Sequence, residues 1–135
     1  MPRAPVSSCR AMNSSAAQLA RVRAQFGTPT GSNGSNWLLL DEPVSALDIG
    51  HQLSVMRLAR DFAASGGVVA VMHDLNLTAM FADRVVLMQA GRVAAEGTPG
   101  EVLTSDRLSR VYACPLQVGQ APAEGRPLIL PESAA

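Results

Sequence analysis

The sequence predicts an α/β domain, built as part of a mostly parallel sheet with flanking helices. Three observations lead there. Two short unbroken apolar runs, Trp37 to Leu40 and Val68 to Met72, have the length and character of strands buried on both faces. Between them, from about Gly50 to Ala64, apolar residues recur with a helical period. A short helix and a third strand then follow, and strand, helix, strand, helix, strand is half of an α/β domain with a parallel sheet.

Taken in order, residues 1–16 are rich in Ser, Ala and Pro without a clear period and read as a poorly ordered segment. Leu19, Val22 and Phe26 share one face at i, i+3 and i+7, which predicts a short helix over Ala17 to Phe26. Gly27 to Asn36 is a loop by composition, punctuated by Gly and Pro. In the helix after the first strand, Val55, Leu58, Ala59 and Phe62 form an apolar stripe. Arg57, Arg60 and Asp61 turn away from it, and Gly66-Gly67 ends the helix. A short helix over about Asn76 to Ala82 leads to the third strand, Arg84 to Met88. Ala90-Gly91 then allows a hairpin into Arg92 to Ala95. Thr98-Pro99-Gly100-Glu101 has the form of a capping box with Pro at the first helical position. It opens a helix through about Leu103, and another is expected from Ser105 to about Tyr112. Four prolines break up the end of the chain, where Leu128 to Leu130 has the character of a short edge strand. The expected organisation is a domain over residues 17–118 followed by a Pro-rich tail over 119–135.

Composition narrows the function classes. The 135 residues fit one domain, and 47% of them are apolar, which suits a packed core and argues against disorder. No apolar run approaches the ~20 residues needed to cross a bilayer, so no direct membrane insertion is expected and membrane association has to come through a partner. With 11 basic and 11 acidic residues the net charge is zero, which leaves no electrostatic footprint for nucleic acid. All the basic residues are Arg; there is no Lys. Cys9 and Cys114 show neither metal-ligand nor redox spacing and read as reduced thiols. Arg3 and Arg10 are not followed by an apolar run, so no signal peptide is expected.

The strongest chemical signal is Trp37-Leu38-Leu39-Leu40-Asp41-Glu42-Pro43. A buried strand ending in two carboxylates puts them at the carboxyl edge of a parallel sheet, where open α/β folds bind ligands. Adjacent carboxylates repel each other, and a nearby metal relieves that cost. One can hold Mg²⁺ while the other polarises a water for attack on a phosphate. The alternative is an acidic cap on a loop or helix start. Asp48 follows within Ser45-Ala46-Leu47-Asp48 and also reads as the N-cap of the next helix. His73, followed by Asp74, closes the second apolar run and can reach the same phosphate from there.

These three segments resemble, in order, the Walker B motif, the D-loop and the switch-histidine loop of ABC ATPases, the last being His73-Asp74-Leu75. The likeness continues through Ala79 to Met88, Gly91-Arg92-Val93 and Glu96-Gly97-Thr98-Pro99, and covers about residues 17 to 118. The fold it implies is the C-terminal part of a P-loop NTPase domain. It also implies ATP and Mg²⁺ as cofactors, with Asp41 as the Mg²⁺ ligand and Glu42 as the catalytic base. His73 would contact the γ-phosphate, and Asp48 would touch a partner subunit across the nucleotide. The His73-Asp74-Leu75-Asn76-Leu77-Thr78 and Ser105-to-Tyr112 stretches look most like subunits that serve haem and ferric-siderophore permeases. Asp48-Ile49-Gly50-His51-Gln52-Leu53 and Tyr112-Ala113-Cys114-Pro115-Leu116-Gln117-Val118 tilt the likeness toward haem. Such subunits work as homodimers on a membrane permease, at the cytoplasmic face of a bacterial membrane.

The departures from the pattern matter as much. A P-loop needs a Lys, and this sequence has none. Where the family signature should precede the Gln18-Leu19-Ala20-Arg21-Val22 helix stands Cys9-Arg10-Ala11-Met12-Asn13. These residues alone are therefore expected not to hydrolyse ATP, and their sheet is expected to expose an edge and an apolar face. A second reading is a non-catalytic docking module for a permease or full-length subunit. A third, a DNA-repair or chromosome-structure ATPase, is opposed by the absence of heptads and of a basic patch.

Overall fold

A computed structural model describes residues 36–122, 125 and 127–131. The readings made over the first 35 residues, including the helix at Ala17 to Phe26, lie outside the described residues. The chain divides into two compact units, one ending at His73 and the other beginning at Asp74.

The first unit is a strand–helix–strand. β1 (Asn36–Asp41) and β2 (Gly66–Val71) pair in parallel, with partners running from Asn36 and Gly66 to Asp41 and Val71. α1 (Ile49–Ala63) connects them. Alternation along the strands puts Leu38, Leu40, Val68 and Ala70 on one face, where they pack with Ala59 and Phe62 of α1. The opposite face carries Trp37, Leu39, Val69 and Val71, all exposed, with Leu39 at 76%. The expectation of strands buried on both faces is thus corrected: among the described residues only one face is covered by a helix. A continuous apolar run records that both faces are apolar, and coverage depends on what packs there. The expected exposure of an apolar sheet face is observed. Gly67 sits opposite Trp37 in the ladder, and a Cβ at that position would overlap the indole, so the ring rests on the glycine backbone.

α1 starts one residue before the predicted boundary because Asp48 caps it, accepting the His51 N–H. Its buried residues are Val55, Met56 and Ala59. Leu58 and Phe62 are half-buried, whereas Arg57, Arg60 and Asp61 are exposed as the stripe requires.

The second unit begins with α2 (Leu75–Phe81), capped by Asp74, whose carboxylate accepts the Leu77 N–H at 2.9 Å. β3 (Val85–Gln89) and β4 (Arg92–Gly97) then form the expected hairpin. Its turn, Ala90-Gly91, has φ of 49° and 72°; two successive positive values suit the right-handed twist of the strands. The parallel pairing among the described residues is that of β1 with β2, and β3 pairs antiparallel. α3 (Pro99–Val102) opens at the predicted box, where Glu101 Oε2 accepts both the Thr98 N–H and its hydroxyl at 2.8 Å. α4 (Ser105–Tyr112) has the predicted limits. Val85 and Leu87 pack with Val102, Leu103 and Leu108 to form this unit's core. The Arg107 guanidinium donates to the Glu101 carbonyl, an acceptor that the end of so short a helix leaves open, and also to the Val102 carbonyl, which accepts the Thr104 N–H as well.

The edge strand expected at Leu128 to Leu130 is not formed, and all three residues are exposed. Pro127 and Pro131 bracket them and remove ladder donors at both ends. No helix among the described residues is long and apolar enough to cross a membrane.

Candidate functional site

The in-register pairing of β1 and β2 brings the carboxyl ends of both strands level. The ladder runs one step beyond them, since the Glu42 N–H donates to the Val71 carbonyl at 3.0 Å. Glu42 itself turns into the left-handed region, with φ of 46°, which ends the strand and redirects its side chain. His73, two residues past the end of β2, meets it there. His73 Nε2 lies 2.6 Å from Glu42 Oε1, so the imidazole N–H donates and the carboxylate accepts. Both groups remain open to solvent.

Asp41 is the last residue of β1, exposed and on the alternation of Trp37 and Leu39. Ser45 then closes a turn on Glu42: its N–H and its hydroxyl both donate to the Glu42 carbonyl, at 3.2 and 3.1 Å. Val44 and Leu47 are buried and anchor the loop, while Ala46 between them takes φ of 62°. The Gln52 side-chain amide donates to the Val44 carbonyl at 3.3 Å, tying the loop to α1. An L-residue in the left-handed region costs about 1–2 kcal/mol, and two lie within five positions here. Such strain clusters where a loop holds functional groups.

Asp48 ends the loop. Its Oδ1 accepts the His51 N–H at 2.9 Å, and its Oδ2 lies 2.7 Å from His51 Nδ1. The His51 N–H, then its imidazole, hold the Asp48 carboxyl below the ordinary carboxylate range. In the second unit, the Thr98 N–H and hydroxyl do the same for Glu101.

Of the four residues singled out from the sequence, the structure joins Glu42 with His73 and sets Asp41 beside Glu42 in the chain. Asp48 pairs with His51 instead. His51 and Ser45 stood within the motifs read from the sequence but were given no role of their own there. The signal for His51 was an imidazole three residues after an N-cap Asp, and for Ser45 a hydroxyl three residues after Glu42. Among the described residues no group of three or more potential ligands forms a metal cage. Mg²⁺ does not require one: it keeps several waters and takes one or two carboxylates with the substrate's phosphates. An exposed Asp41 at a sheet's carboxyl edge fits that donor set.

No protein-family model matches the chain. It is 57% identical over 118 residues to "Hemin import ATP-binding protein HmuV" of Rhizobium meliloti (strain 1021), covering 87% of this chain and 45% of that protein. It is 58% identical over 118 residues to the protein of the same name from Ruegeria sp. (strain TM1040), with the same coverage. The chain thus spans less than half the length of the curated relatives it matches. Among solved structures, it is similar to a metal-chelate type ABC transporter in an inward-facing conformation. The TM-score is 0.54 at 28% identity, over 67% of this chain and 36% of that one.

Proposed function

From a chain that belongs to the ATP-binding subunits of ABC transporters, we propose a part of the ATP-hydrolysing centre that drives a haem importer. The observation that carries this reading is the 2.6 Å contact between Glu42 and His73 at the level ends of two parallel strands, with Asp41 adjoining. Glu42 is the general base: Oε1 is engaged by His73, which leaves Oε2 to take a proton from water. His73 holds that carboxylate and would contact a terminal phosphate. Asp41 would hold Mg²⁺, which when bound neutralises phosphate charge.

The cargo, haem, is taken from the names of the relatives. The partners are a membrane permease and a second ATP-binding subunit, which Asp48 would face, and the place of action is the cytoplasmic side of the membrane. The ATP phosphates also need a lysine and a glycine-rich loop, and the 135 residues contain no Lys. Another polypeptide segment has to supply that cradle.

Grafting tests the site directly. Residues 36–118 replace the matching stretch of the Rhizobium meliloti relative, and Mg²⁺-dependent ATP hydrolysis is measured beside the isolated 135-residue chain. The graft should turn over ATP and the isolated chain should not. Glu42→Gln in the graft should lower turnover by about 10²–10⁴-fold, the usual contribution of a general base. Turnover unchanged by that substitution would remove Glu42 from the role.

A further inference from the structure

We propose that His51 is the positioning residue for Asp48, a two-pronged clamp that fixes the carboxylate this loop would offer to a facing subunit. The inference deepens the ATPase reading and rests on it for what Asp48 faces.

Both oxygens of Asp48 are engaged by one residue, Oδ1 by the His51 N–H and Oδ2 by its ring. An ordinary N-cap uses a single oxygen on a backbone N–H and leaves the other to rotate into solvent. Asp74, which caps α2 through Oδ1 and the Leu77 N–H, is that ordinary case. The second prong therefore adds something the helix does not need. It defines the plane of the carboxylate, and since Asp48 is exposed, that plane is presented outward. The backbone on either side is fixed as well: the Gln52 N–H donates to the Asp48 carbonyl at 2.9 Å, and the Gln52 side chain to the Val44 carbonyl.

Among the described residues, the other charged groups of this unit do not compete for the carboxylate. Glu42 and His73 pair with each other, and Arg57, Arg60 and Asp61 lie farther along α1. His51 is the one side chain hydrogen-bonded to the Asp48 carboxylate among the described residues. Nδ1 is bonded to Cγ, one bond nearer the backbone than Nε2. The donor position is therefore reproduced by the amide of Asn but not by the longer amide of Gln.

The test is a carboxyl-carbon NMR titration of Asp48 in the full 135-residue chain, comparing wild type with His51→Ala, His51→Gln and His51→Asn. All three substitutions keep the backbone N–H cap, so the helix start is preserved. The midpoint of Asp48 should rise in His51→Ala and His51→Gln, and return toward the wild-type value in His51→Asn. Amide exchange at Leu47 and Asp48 should quicken in the first two variants and recover in the third. A wild-type midpoint in His51→Ala would overturn the clamp, and so would His51→Asn behaving like His51→Ala. These readouts involve no nucleotide. A failed clamp leaves the hydrolysis result of the graft standing, and a graft without turnover leaves the clamp standing.

Discussion

Asp48 and His51 meet across three residues of one helical turn, whereas Glu42 and His73 meet across 31 residues of chain. The chemistry is the same, an imidazole nitrogen 2.6–2.7 Å from a carboxylate oxygen. The supports differ. The first pair needs only the opening turn of α1. The second needs the register of β1 on β2, the covered face that holds that register, and the left-handed turn at Glu42. A local pair is as robust as its helix, and a long-range pair only as robust as the whole unit. The residues proposed for chemistry therefore depend on the more fragile arrangement.

Breaking the covered face should separate the two pairs. Leu40 is 6% exposed and packs beneath the sheet with Ala59. Leu40→Ala should destabilise the first unit by about 2–4 kcal/mol, the usual cost of a buried Leu, measured by urea unfolding. In the folded fraction, NMR signals of the Glu42–His73 contact should weaken before those of Asp48 and His51. A loss below about 1 kcal/mol would show that the register has other support.

Between the pairs, Ala46→Gly should act in the opposite sense. At φ of 62° glycine avoids the left-handed penalty, and the gain should be up to about 1 kcal/mol in the same experiment, with both contacts retained. Destabilisation would mean that the methyl group packs usefully and that the turn is not under strain.

The smallest effect is that of pH. Asp48 and Glu101 are both held below the ordinary carboxylate range. Each contributes stability fully above its unfolded value, and loses it as pH falls from there through the depressed folded value. The urea midpoint should therefore hold steady from neutral pH to the ordinary carboxylate range and decline below it. Glu101→Gln should make that decline shallower, and an unchanged decline would assign it to other groups.

Legibility in the sequence followed the same division between local and distant. The helix over Ser105 to Tyr112, the box at Thr98 and Glu101 and the turn at Ala90-Gly91 are written in neighbouring residues, and all three were readable. Asp48 with His51 was equally local but went unread, because Asp48 already had a sufficient role as a cap. Glu42 with His73 is not local. Periodicity finds two strands but not their register. That His73 and Glu42 could serve one phosphate was read from their places at two strand ends, and the motif resemblance strengthened it. Neither showed that the two side chains touch. Trp37 and Leu39 misled for a related reason, since whether an apolar face is covered is decided by residues elsewhere. Leu128 to Leu130 misled because apolar character outweighed the flanking prolines in the reading, whereas hydrogen-bond donors decide strand formation.

Trp37 is the chain's single tryptophan, and it lies on Gly67 on the side of the sheet that no described helix covers. The molecule thus carries one intrinsic fluorophore at the place where its apolar surface is open. Its emission should be that of a wet indole while the ring stays exposed, and should shift toward the blue when anything settles there. Fluorescence alone can therefore follow, in real time and without a label, any polypeptide that completes this side of the sheet.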